Sequence, residues 1–146
     1  MKKITILFFI AISLLSCQKE YKYPESKLWK HGVYSKWEAK ELEGVFDGLE
    51  VDVIYSPEKN NIYVGRIVAD TSKNQTLDDW MSILQNPEKM SFSIDFKNLS
   101  RENANAALDV FDLITKKYNI HDNCFIESQD IETLKIVKER NYFTIL

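Results

Sequence analysis

The chain lacks an excess of either charge: its 146 residues carry 19 Lys and Arg against 22 Asp and Glu, a formal net charge of −3. That balance leaves no basic footprint for a nucleic acid. The two signs are mixed along the chain, which excludes a polybasic membrane patch and an acidic tail. No apolar run reaches the roughly 20 residues that a bilayer-spanning helix needs; the N-terminal one, from Ile4 to Leu15, falls well short. There is no low-complexity tract and no clear repeat, and cysteine is scarce, with Cys17 and Cys124 alone. What remains is an ordinary globular composition, 45% hydrophobic and 12% aromatic, enough for one domain with one core.

The N-terminal run has a layout of its own. Lys2 and Lys3 precede the apolar stretch, and "LLSC" closes it at Cys17. Basic start, short apolar run and terminal small residues are the plan of a secretory signal peptide, and "LLSC" resembles the bacterial lipobox. The resemblance implies cleavage after residue 16 and lipidation of Cys17, with enough acyl chain for stable anchoring. Residues 1–16 are therefore expected to be a lipoprotein signal peptide. Residues 17–27, polar and carrying Pro24, read as a lipid-anchored tether, and 28–146 as the domain. Gln18 stands where inner-membrane retention commonly uses Asp, so the expectation is a bacterial envelope protein held at the outer membrane. With Cys17 lipidated, Cys124 has no disulfide partner, and in "NCFIES" it reads as a buried small hydrophobe.

Within the domain, runs with strand character alternate with helical patterns. Strands are expected near 28–34, 49–55, 91–97, 123–128 and 142–146, with 61–68 pairing back on 49–55 as a hairpin across "SPEKNN". Ser35 with Glu38 forms a capping-box pattern, Thr76 with Asp79 opens a second helix, and Ser100 is placed to cap a third. In that third helix Ala104, Ala107, Leu108, Phe111, Ile114 and Tyr118 follow helical spacing. The alternation predicts an α/β fold around a parallel sheet.

The strand "GLEVDVIYS" carries two acids among its apolar residues. Side chains alternate along a strand, so Glu50 and Asp52 share a face about 6.6 Å apart. "SFSIDFKN" repeats the design: Phe92, Ile94 and Phe96 on one face, and Ser91, Ser93, Asp95 and Lys97 on the other. Three carboxylates from neighbouring strands suit a hard divalent cation, Ca²⁺ or Mg²⁺. Alternating strands with charged outer faces can equally be half-exposed to water. His31, at the end of the first strand, is a candidate proton-transfer group, whereas His121, in a loop after a helix, reads as solvated or capping.

"WKHGVYS", "FDGLEVDVIYSPEKNNIYV", "SIDFKNLS" and "KYNIHDNCFIES", in this order, resemble the menorin family. Menorins are relatives of the glycerophosphodiester phosphodiesterases in the phospholipase C-like phosphodiesterase superfamily, and the similarity runs from Leu28 onward. It implies a TIM-type (βα) barrel with its site at the strand C-termini. Carried over, His31 matches the first catalytic His, Glu50 and Asp52 the metal-binding E-x-D, and Asp95 with Lys97 the E-x-K. Lys97 would hold the phosphate, and Arg66, Asn98 and Glu127 would complete a substrate-binding set. Two departures stand out. No His lies near "YVGRIV", where the second catalytic one belongs, and Arg66 there cannot act as a general acid because it holds its proton too tightly. A full barrel also needs roughly 250 residues, so the expectation is the first half of a barrel, from a truncated frame or completed by self-association through the C-terminal strand "YFTIL". Two functions follow: a metal-dependent phosphodiesterase-like lipoprotein acting on a phosphodiester small molecule or lipid headgroup, or a non-catalytic binding or adhesion lipoprotein with a degenerate site. A small surface lipoprotein with no site at all is the third.

Overall fold

The computed structural model describes residues 28–146, and at 71–73 the backbone alone. The lipobox, Cys17 and the tether lie outside the described residues. Among the described residues, no helix is long and apolar enough to cross a membrane.

Six strands form one sheet: β1 (Trp29–Lys30), β2 (Gly48–Ser56), β3 (Asn61–Val64), β4 (Ser91–Phe96), β5 (Cys124–Glu127) and β6 (Phe143–Ile145). The order is β1-β2-β4-β5-β6, every neighbouring pair in it parallel, while β3 turns back antiparallel on β2. Between the strands run α1 (Lys36–Leu42), α2 (Leu77–Met81), α3 (Ala104–Tyr118) and α4 (Ile131–Glu139). This is the α/β architecture that the strand–helix alternation predicts.

Period-two side-chain alternation gives the sheet two unlike faces. Leu49, Val51 and Val53 of β2, Phe92, Ile94 and Phe96 of β4, and Cys124 and Ile126 of β5 are buried in one core with residues of the helices. Trp80 of α2 meets Phe92 edge-on at 6.2 Å, and Phe111 of α3 meets Phe96 at 5.9 Å. The α3 positions Ala104, Ala107, Leu108, Phe111 and Ile114 are all buried, as their spacing requires. Burial holds the Cys124 thiol well above its ordinary pKa, consistent with an inert core residue.

The opposite face starts apolar and ends charged. At its lower end the Trp29 and Phe125 rings touch at 5.7 Å, and Phe125 meets Phe143 at 5.4 Å. Three inter-strand steps separate β1 from β5, roughly 14 Å in a flat sheet, so this face is concave and its rings lean together over small residues. Gly48 is one of them: a Cβ there would stand 2.6 Å from the Trp29 ring.

Several local details depart from the sequence pattern. The first strand pairs only at Trp29 and Lys30, because the chain turns at Gly32 (φ +70°) before Val33 N–H returns to the Glu50 carbonyl at 2.9 Å. The hairpin strand stops at Val64, leaving Arg66 in the following loop. Ser35 occupies the N-cap of α1 without a side-chain hydrogen bond, and α3 begins after Asn103 rather than near Ser100. Thr76 does cap α2, accepting from Asp79 N–H at 3.0 Å.

Candidate functional site

The upper end of the concave face is a row of acids. In the parallel register Asp52 of β2 lies beside Asp95 of β4, which lies beside Glu127 of β5. Glu50, two residues before Asp52, shares its face and stands beside Ser93. Like charges directly opposite on neighbouring strands repel, so the row needs counter-charge. Glu50, Asp52 and Asp95 each offer a carboxylate oxygen within 4.8 Å of the others, and the three could hold a metal ion.

Asp52 is the centre of the cluster, and only 2% of it is exposed. An ionised carboxylate that deep costs several kcal/mol unless it is paired. Tyr34 donates its hydroxyl to Oδ2, Arg66 Nε stands 3.2 Å from the same oxygen, and Lys97 Nζ is 2.9 Å from Oδ1. Lys97 also pairs with Asp95. The ammonium is close enough to Oδ1 to offset its charge but out of line for a hydrogen bond, so this buried oxygen has no directed donor.

These contacts move two ionisations upward. Burial, then the hydrogen bond to Asp52, pushes the Tyr34 hydroxyl up to about 12. Burial works against the Lys97 ammonium, but the hydrogen bond to Asp95 and the adjacent charges of Asp95 and Asp52 outweigh it and hold its pKa above the usual lysine value.

The remaining residues singled out by sequence fall into two groups. His31 contacts Glu50 at the rim, its side chain 79% exposed. Glu127 accepts from Ser93 on the same face. Asn98 belongs elsewhere: its side chain accepts from Tyr55 N–H at 2.9 Å and donates to Tyr55 C=O at 2.7 Å, closing the end of β2. With both ends of its amide committed to the backbone, Asn98 is a strand clamp, and the substrate-binding role expected of it is withdrawn. His121 is also outside the site, stacked on Tyr142 at 4.2 Å.

Beside the acids opens a cavity of about 880 Å³, lined by Tyr34, Val64, Arg66, Ile67, Gln75 and Lys97 among others. Its loop is held by Asp70, whose Oδ2 accepts from Arg66 N–H at 2.8 Å and Ile67 N–H at 3.1 Å. Gly65 permits this closeness, since a Cβ there would lie 2.3 Å from Asp70 Cβ. Tyr34, Gln75 and Asp70 had no signal in the sequence pattern; they arrive by loops that return along β2.

No protein-family model, curated protein or solved structure matches this chain.

Proposed function

We propose that the chain is a phosphodiesterase-like envelope lipoprotein, related to the menorins, that binds Ca²⁺ or Mg²⁺ through Glu50, Asp52 and Asp95. The observation that carries this reading is the convergence of those three carboxylates within 4.8 Å on one face of two adjacent parallel strands, Glu50 and Asp52 within β2 and Asp95 near the C-terminal end of β4. The donor set fits a hard cation. Two oxygens in one Ca²⁺ shell, each at 2.3–2.6 Å from the ion, lie at most roughly 5 Å apart. The Asp52 oxygen that no donor satisfies supplies a buried lone pair for it. The concave sheet with functional groups at its strand ends supports the further reading as the first half of a TIM-type barrel.

A cation held there would supply positive charge against a phosphoryl oxygen. The chain's own residues frame the rest. Lys97 and Arg66, both lining the cavity, are the cations available to a phosphodiester there. Exposed His31, oriented by Glu50, is the group able to carry a proton.

The second reading is a non-catalytic binding or adhesion lipoprotein on the same site. A specific observation favours it: among the described residues His31 is the only imidazole at the cluster, because His121 is stacked on Tyr142. One imidazole cannot divide the acid and base roles between two groups. Hydrolysis of bis(p-nitrophenyl) phosphate with Ca²⁺ separates the two. Activity lost in His31→Ala supports the hydrolase, and Ca²⁺ binding without turnover supports the binder. The anchor is tested separately, since Cys17→Ala is expected to abolish acyl labelling and release the protein from membranes.

A further inference from the structure

Lys97 and Arg66 both stand beside Asp52, but they are supported in different ways. Lys97 directly follows β4, and its amide still bonds the Val53 carbonyl of β2 at 2.9 Å. Arg66 comes two residues after β3 and opens a stretch, Arg66 to Ala69, in which every residue is exposed. Its side chain is 69% exposed, yet Nε stands 3.2 Å from the carboxylate of buried Asp52. A solvated arginine has many rotamers and no reason to keep one direction. Packing does not aim Arg66, so its backbone must.

That backbone is held closely. Gly65 N–H donates to the Asp52 carbonyl at 2.9 Å, so the residue before Arg66 is bonded to the residue that the guanidinium faces. Asp70 then closes a reciprocal turn. Its Oδ2 accepts from Arg66 N–H at 2.8 Å and Ile67 N–H at 3.1 Å, while its own N–H donates to the Ile67 carbonyl at 2.8 Å. The turn fits only against a glycine, because a Cβ on residue 65 would stand 2.3 Å from Asp70 Cβ and 2.9 Å from its Oδ2.

We propose that Asp70 is a positioning residue: by holding the amides of Arg66 and Ile67 it keeps the Arg66 guanidinium between Asp52 and the cavity, and so strengthens anion binding there. The inference rests on the phosphodiester reading of the cavity and adds to it the residue that aims one of its two cations. Asp70 also lines the cavity, and a carboxylate repels an anion. Acting by its charge alone, Asp70 would weaken anion binding, and its removal would tighten it. Acting through Arg66, it does the reverse. The sign separates the two.

The test is a phosphorus NMR titration of dimethyl phosphate on the full chain with Ca²⁺ present. Arg66→Ala is expected to weaken binding about tenfold, the loss of one charge-assisted contact. Asp70→Ala should weaken it about threefold or more, and Asp70→Ala/Arg66→Ala no further than Arg66→Ala alone, since the two residues act as one unit. Asp70→Asn keeps an acceptor oxygen for the two amides and should bind at least as tightly as wild type. Gly65→Ala displaces the Asp70 carboxylate by a second route and should match Asp70→Ala. Proton exchange at Arg66 Nε gives a readout without ligand: slower than in a solvated arginine for wild type and Asp70→Asn, and as fast for Asp70→Ala.

Unchanged or tighter binding by Asp70→Ala overturns the proposal, as does a loss that adds in full to that of Arg66→Ala. Unfolding of both Asp70→Ala and Gly65→Ala overturns it too, by making the turn a part of the fold. If wild type fails to bind dimethyl phosphate, the proposal falls together with the phosphodiester reading. If wild type binds it and exchange at Arg66 Nε stays slow in Asp70→Ala, the positioning alone is refuted.

Discussion

The two faces of the sheet are made by the same strands and follow opposite rules. On β4, Phe92, Ile94 and Phe96 point to the helices and are buried, while Ser91, Ser93 and Asp95 point to the concave face. Polar alternation of this kind usually means that the second face is in water. Here Ser91 and Ser93 are 6% and 5% exposed, and Asp52 is 2% exposed. The concave face is therefore buried as well, by its own curvature and by the Trp29, Phe125 and Phe143 rings at its base. A polar face that is merely solvated costs nothing; one that is buried must be satisfied residue by residue. That difference is why the helix side is read as structure and the concave side as a site.

Substitutions can break the contrast from either side. The largest effect belongs to the helix side: Phe92→Ala is expected to cost about 3–5 kcal/mol of stability in urea unfolding. Any surviving folded fraction should bind Ca²⁺ as wild type does. If Phe92→Ala instead abolished Ca²⁺ binding while sparing stability, the assignment of the two faces would be wrong. Gly48→Val comes next, because the added side chain collides with the Trp29 ring at the base of the concave face. It should lower stability by about 1–3 kcal/mol, and an unchanged urea midpoint would argue that the curl does not depend on that contact.

Lys97→Met sharpens the comparison at the charged end. Without Ca²⁺ it leaves Asp52 and Asp95 facing each other with less counter-charge, which should cost about 1–2 kcal/mol for these partly screened pairs. With saturating Ca²⁺ the loss should vanish, and Ca²⁺ should bind more tightly because no ammonium competes for the oxygens. Thermal melts with and without Ca²⁺ measure both, and a deficit that Ca²⁺ does not repair would refute the competition.

The smallest effect is at Tyr34. Its hydroxyl and the Lys97 ammonium both ionise at higher pH in the folded protein than in the unfolded chain. Groups of that kind give stability that is complete below their unfolded values, roughly 10–10.4, and that is lost as pH rises through the folded values, about 12 for Tyr34. Tyr34→Phe should cost about 1 kcal/mol near neutral pH and show a shallower alkaline loss than wild type. An identical alkaline slope would mean that Tyr34 does not hold Asp52.

Much of this arrangement was legible in the sequence wherever periodicity governs it. Alternation in β2 and β4 placed Glu50, Asp52 and Asp95 on one face, and helical spacing picked out the buried positions of α3. The parallel order of strands followed from their alternation with helices. Residues that act through loops were not legible. Tyr34 meets Asp52 only because Gly32 turns the chain back along β2, and Gln75 lines the cavity after a long excursion from β3. Asn98 entered the substrate-binding set with the family resemblance, which says nothing of its hydrogen bonds: a carboxamide that can both donate and accept meets the Tyr55 backbone at the end of β2. Caps failed for a similar reason. Ser35 had the right residue type for α1, yet its hydroxyl forms no cap, whereas Thr76 does.

The central claim is that the buried carboxylates of the concave face bind a divalent cation, and Ca²⁺ titration by calorimetry on wild type and Asp52→Asn tests it most directly. Asparagine keeps the shape of Asp52 while removing its charge. One Ca²⁺ per wild-type chain, with affinity falling about a hundredfold or more in Asp52→Asn, is the predicted result. Equal heats from the two proteins, or no heat from wild type, would contradict it.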